Sequence, residues 1–155
     1  METPFFEDPQ AKLLAKYTTV ERNAVNVIVH NPRTDCYLCL DCKRYGWRTF
    51  IISCVKDNED KIDVAKRAII DVSGYTDAGF IRIIAKTRVG CYSDDKNENS
   101  ISNDTALLFE LNTEKQNNKK KKDTSECRYH WISKESVGLF INLSSQKYIW
   151  EQCQK

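Results

Sequence analysis

Carboxylates three or four residues apart on a helix share one face, and such a face can hold a hard divalent cation that prefers oxygen ligands. The segment Ser53–Tyr75, SCVKDNEDKIDVAKRAIIDVSGY, has the frame for that chemistry but few of its groups. Ile62, Ala65, Ala68, Ile69 and Val72 recur at helical spacing, with Asp63, Lys66, Arg67 and Asp71 over the rest of the surface. Ser73-Gly74 ends the helix, because glycine accepts the left-handed conformation that follows a last turn. Glu59 precedes the helix. Where a metal-binding face needs acids, the helix offers Ala68, Asp71 and Val72.

Other residues have types that could do chemistry. Asp94, Asp95 and Glu98 form a second group of carboxylates in a polar stretch, read as a flexible solvated loop. Cys36, Cys39 and Cys42 have the spacing C-x2-C-x2-C, but a strand sends 36 and 42 to one face and 39 to the other. They are expected to fill apolar space as small hydrophobes. His30 and His130, the only histidines, have no evident partner and are expected to serve packing or surface polarity. Lys119, Lys120, Lys121 and Lys122 form the one charge block, a candidate contact for RNA phosphate or an import signal, set against a plain solvated insertion. Tyr45, Trp47, Tyr92, Trp131 and Trp150 include candidates for base stacking, although most are expected to pack.

The elements that must position these residues follow from pattern. Asn23–His30 is β-branched and apolar, the turn NPRTD follows, and Cys36–Cys42 resumes as a strand, so the two read as a hairpin. Trp47–Ser53 reads as one strand after the Gly46 turn, and the helix comes next. A long or bulged strand, GFIRIIAKTRVGCY, leads to the polar loop DDKNENSISN and a strand DTALLFELN. A low-complexity loop, disordered near 112–125, precedes a strand CRYHWIS. KESVGLF and SSQKYIWEQCQK read as closing helices, each with a serine near its start as N-cap.

A chain of 155 residues with 41% hydrophobic and 10% aromatic residues fits one globular domain. No apolar run approaches the roughly 20 residues of a membrane span, and the N-terminus lacks the order of a signal peptide. A cytoplasmic protein with mostly reduced thiols is therefore expected. The net charge of +2, from 24 basic and 22 acidic residues, argues against a general nucleic-acid binder.

In this order and spacing the chain resembles the Nudix family, which hydrolyses nucleoside diphosphates linked to another moiety. The frame matches without a gap: Glu59 stands at the first Glu of the family signature, Arg67 at the Arg, Ile69 at the aliphatic position and Gly74 at the closing Gly. Ser53 replaces the opening Gly, Ala68 the Glu after the Arg, and Asp71-Val72 the Glu-Glu pair; Asn58 and Lys56 stand where the loop often has Gly and Glu. The segments TTVER, YLCLDCKRYGWRTF, KNEN and KYIWE are similar to the Nudix-like domain appended to the C-terminus of some leucyl-tRNA synthetases. The resemblance implies an α/β (α+β) fold, a mixed sheet sandwiched between helices. Residues 18–155 would form this domain after an N-terminal extension, 1–17. It further implies a pseudoenzyme with no catalytic residue and no cofactor, kept for contacts with tRNA, a nucleotide or a protein partner. If activity remains, magnesium held by Glu59, Asp71 and Glu98 would serve cleavage of nucleoside diphosphate-linked substrates.

Overall fold

Val25, Val27 and Val29 point to one side of a strand and Asn26 and Ile28 to the other, yet all five are buried. A strand covered on both faces needs layers above and below it, and it therefore reads as a continuous apolar run. The computed structural model, which describes residues 2–8, 13–93, 96–117 and 127–155, places this strand near the middle of a mixed sheet. In chain order the elements are β1 (Phe5–Asp8), β2 (Thr18–Asn31), β3 (Cys36–Cys42), β4 (Trp47–Thr49), β5 (Ile51–Cys54) and α1 (Lys61–Ser73). Then come β6 (Ala78–Ser93), β7 (Glu98–Leu111), β8 (Cys127–Ser133), α2 (Lys134–Phe140) and α3 (Ser144–Cys153).

The sheet runs β1-β6-β7-β2-β3-β4, with β5 also paired to β2 and β8 to β3. β2 and β7 are parallel over their length, Thr18 opposite Glu98 through His30 opposite Glu110. β1 is parallel to β6, and the other pairings are antiparallel. On one face Val25, Val27, Val29, Leu107, Phe109 and Leu111 meet Val64, Ala65, Ala68 and Ile69 of α1. On the other face Ile28, Cys39, Phe50 and Ala106 meet Val137 of α2, Ile141 just after α2, and Ile149 of α3. One domain results, with its sheet between helices.

The helix ends have physical causes. Asp60 caps α1 by accepting the Asp63 N–H at 3.1 Å. Gly74 closes it at φ +82°, donating its N–H to Ile70 O. A Cβ there would lie 3.1 Å from Asn117 O, a second reason for glycine.

Several expectations need correction. Trp47–Ser53 is two strands broken at Phe50, whose N–H turns to the Gln146 side chain instead of a neighbouring strand. Residues 98–103, read as loop, begin β7. β1 adds a strand within the N-terminal extension, against β6. Neither closing helix has a serine side-chain cap: Ser133 Oγ donates to Ser136 Oγ, and α3 is preceded by Leu143. β6 is bulged as expected, with register shifts at Phe80/Arg82 and Ile83/Ala85. Five cysteines are free thiols, while Cys42 and Cys127 form a disulfide across β3 and β8. Among the described residues no helix is long and apolar enough to cross a membrane. The loop near 112–125 is described only to residue 117, and Lys119–Lys122 lie outside the described residues, as do Asp94 and Asp95.

Candidate functional site

The loop between β5 and α1 sits at the end of the sheet from which β2 starts, because β5 runs antiparallel to β2. Ser53 is partly buried in β5, paired with Val25. Asn58 adopts φ +68°, a left-handed conformation that asparagine tolerates better than most residues and that glycine adopts freely. Glu59 is held from two sides. Its Oε1 accepts the Lys56 N–H at 2.8 Å and its Oε2 accepts from Arg67 Nη2 at 3.0 Å. The Lys56 N–H first, and then the Arg67 guanidinium, hold the Glu59 carboxyl below its ordinary range. Arg67 and Asp71 lie four residues apart, on one helix face, and both are exposed.

Ala68 and Val72 occupy the neighbouring positions and face inward. Ala68 is 7% exposed within the α1 apolar cluster, and Val72 packs against that cluster partly buried. Between the start of β2 (Glu21–Asn23) and the loop Cys54–Asp57 runs an open groove of about 490 Å³. Both signs of charge line it. Arg22 is paired with Glu98, Glu21 accepts from Asn103 at 3.0 Å and from Arg88 at 3.2 Å, and Lys56 and Asp57 come from the loop.

Strand alternation decides where Glu98 stands. On β7 it shares the parity of Ala106 and Leu108, which pack on the α2–α3 side, whereas Leu107 and Phe109 face α1. Glu59 and Asp71 belong to α1 and the loop that leads into it, whereas Glu98 is engaged by Arg22 of β2. Among the described residues no three His, Cys, Asp or Glu side chains gather as a metal site. Magnesium demands near-octahedral oxygen ligands, and the described residues bring together no multi-carboxylate site for it.

Reading the sequence missed a polar network on the opposite face. Asp104 is partly buried and accepts from Asn26 Nδ2 at 2.8 Å and from Ser102 Oγ. Asn26 Oδ1 accepts from Gln146 Nε2 at 2.6 Å, and Gln146 Oε1 accepts the Phe50 N–H at 2.9 Å. Asn26 and Gln146 are 1% and 2% exposed, so no water competes for these bonds. Burial pushes the Asp104 carboxyl above its ordinary value, against the pull of its two donors. The only local signal was an acid at the start of an apolar strand, and its amide partner on β2 lies 78 residues away.

The remaining candidates are placed as follows. His30 Nε2 lies 2.9 Å from Asp35 Oδ1 and its Nδ1 lies 3.2 Å from Glu110 Oε2, while its ring stacks on Tyr37. His130 is exposed, edge-on to Phe140. Cys39 is buried, which pushes its thiol up to about 12, and it faces the side away from Cys42. Trp131 donates to Tyr75 OH at 3.2 Å, and Trp150 packs on Tyr37 and Phe50. Tyr92 is exposed, and Tyr45 and Trp47 stack on each other at the surface.

No protein-family model and no curated protein matches the chain. Solved structures do. An Ap4A hydrolase from C. elegans, in a binary complex, superposes with a TM-score of 0.63 at 12% identity, over 86% of this chain and 95% of that one. A Nudix hydrolase from Nitrosomonas europaea gives 0.60 at 12% identity, over 87% and 89%. The mutator protein MutT from Bacillus halodurans gives 0.57 at 18% identity, over 84% and 80%. At such identities the likeness establishes the fold: this chain has the fold of Nudix hydrolases.

Proposed function

We propose that the chain is a catalytically inactive Nudix-fold module that binds a nucleotide, RNA or a protein partner. The observation that carries this reading is the fate of the α1 positions. Ala68 and Val72 belong to the apolar packing, so a cation reaching α1 meets Asp71 and a Glu59 already engaged by Arg67 and the Lys56 N–H. A phosphoryl transition state needs concentrated positive charge, which a multi-carboxylate metal cluster supplies and these two acids do not. The similarity of TTVER, YLCLDCKRYGWRTF and KYIWE to the domain appended to some leucyl-tRNA synthetases supports a role beside such an enzyme, with tRNA as one partner. Lys119–Lys122 would add phosphate contacts to that role.

The test is incubation with millimolar magnesium and nucleoside diphosphate sugars, dinucleoside polyphosphates, oxidised nucleotides or capped RNA. No release of nucleoside monophosphate is expected. Magnesium-dependent release that Asp71→Ala abolishes would overturn the reading. One observation favours a second reading, a divergent magnesium-dependent hydrolase of nucleoside diphosphate-linked substrates using Glu59, Asp71 and Glu98. The solved structures that share this fold include enzymes named as hydrolases. The same assay separates the two.

A further inference from the structure

Cys42 and Cys127, joined as a disulfide, face each other at the end of the β3–β8 ladder. Along the same side of that ladder Leu40 faces Tyr129 and Leu38 faces Trp131, and all four pack in or against the α1 cluster. Trp131 Nε1 donates to Tyr75 OH at 3.2 Å, and Gln116 Nε2 donates to Tyr129 OH at 3.3 Å. β8 therefore covers the C-terminal end of α1, where Tyr75 follows the Gly74 cap. Yet β8 has a single neighbour in the sheet, β3. The disulfide ties the first residue of β8 to that neighbour.

The two ends of this bond are held differently. Cys42 lies opposite Cys127 on one side and Trp47 of β4 on the other, is 7% exposed, and accepts the Tyr45 N–H on its carbonyl at 3.2 Å. Cys127 is half-buried at the start of β8, so an incoming thiolate reaches its sulfur more readily than that of Cys42. Neither cysteine belongs to the two apolar clusters that hold the sheet to its helices, so both layers keep their packing when the bond opens. The other cysteines of β3 offer no alternative pairing. Cys39 packs on the α2–α3 side, and Cys36 stands at the far end of the strand, about 20 Å away. The two sulfurs belong to residues 85 apart in the chain, so their bond closes a loop that contains α1 and β4 to β7 and restricts the unfolded chain strongly.

We propose that Cys42 and Cys127 are a reversible thiol–disulfide pair. Oxidation by a low-molecular-weight disulfide of the glutathione type clasps β8 over the end of α1, and reduction frees its leading end. In the oxidising direction the thiolate of one cysteine attacks the small disulfide and expels one small thiolate, leaving a mixed disulfide on the protein. The thiolate of the other cysteine then attacks the protein-side sulfur and expels the second small thiolate. Two protein thiols and one small disulfide become one protein disulfide and two small thiols, so two electrons and two protons pass to the small molecule. Reduction by the small thiol runs the same steps backward. The proposal stands whether α1 holds a metal or not.

The experiment equilibrates the full folded chain with glutathione mixtures of increasing oxidised fraction, blocks the free thiols by alkylation, and locates the blocked cysteines by mass spectrometry. The expected result is one reversible transition in which Cys42 and Cys127 together escape alkylation, with unchanged far-ultraviolet circular dichroism. The reduced chain should melt roughly 10 °C below the oxidised one, as the closure of so long a loop implies. On reduction, amide chemical shifts should move along β8 and around Tyr75 and stay in place in β1 and β6. Cys42→Ser and Cys127→Ser should each melt near the reduced wild type in every mixture, whereas Cys91→Ser, which alters an exposed free thiol, should keep the full difference. Should either of the first two variants fail to fold, the wild-type titration and its paired melts decide alone. Seven alkylated cysteines in every mixture, a link between other cysteines, or a link that only denaturation opens would overturn the proposal. Equal melts of the two forms, or shifts that leave β8 unmoved, would overturn it as well.

Discussion

The two faces of the sheet treat their polar groups in opposite ways. On the α1 face the charges are at the surface: Glu59 pairs with Arg67, with side chains 27% and 57% exposed, and Asp71 is exposed. On the α3 face a carboxylate and two amides are tied into one network, Asp104–Asn26–Gln146, that ends on the Phe50 N–H. The α1 face thus keeps its carboxylates at the surface, and the other face buries one with its amide partners. Sequence spacing marks where a family places its chemistry, whereas burial marks where this chain uses its polar groups for stability.

The strongest way to sharpen that contrast is to cut the network. Gln146→Ala leaves the buried Phe50 N–H and Asn26 Oδ1 without partners. Each orphaned group costs roughly 1–3 kcal/mol, so a loss of about 3 kcal/mol is expected, read as a fall in denaturant midpoint with an unchanged m-value. A loss close to zero would mean the network is not closed in solution.

The pH dependence separates the faces next. The Asp104 carboxyl is raised above its ordinary 3.8, so the folded state prefers the protonated form. Its contribution is most favourable below pH 3.8, declines as pH climbs toward the raised value, and is flat above it. Glu59 is lowered, so its contribution is present above its ordinary 4.5 and is lost as pH falls through the lowered value. Melting curves from acid to neutral pH should show Asp104→Asn gaining on the wild type as pH rises. Glu59→Gln should instead lose on the wild type over the same interval, weakly, because that carboxylate is solvated. Parallel curves for both variants would erase the distinction between the faces.

The smallest effect is expected at the surface pair. Arg67→Ala should cost under about 1 kcal/mol, and salt should remove most of it, as for exposed ion pairs generally. A loss matching that of Gln146→Ala would show that the α1 face holds its polar groups no less firmly than the other.

The sequence made some parts of this molecule legible and hid others, for physical reasons. β3, β8 and α2 have the bounds their patterns imply. Gly74 closes α1 as the local pattern implies, and Glu59 and Arg67, eight residues apart, meet because a single loop and helix join them. The break at Phe50 was hidden because its N–H partner lies on α3, far along the chain. The start of β7 was hidden because its polar residues take their order from pairing with β2 and β6. The Cys42–Cys127 link joins two strand ends 85 residues apart, which local pattern cannot connect.

The central proposal is that α1 assembles no metal site. Manganese, a paramagnetic stand-in for magnesium, tests it through the amide signals of the folded chain. The account predicts no selective, saturable broadening at Glu59 or Asp71 at submillimolar metal. Saturable broadening centred on those two residues and reversed by magnesium would contradict it.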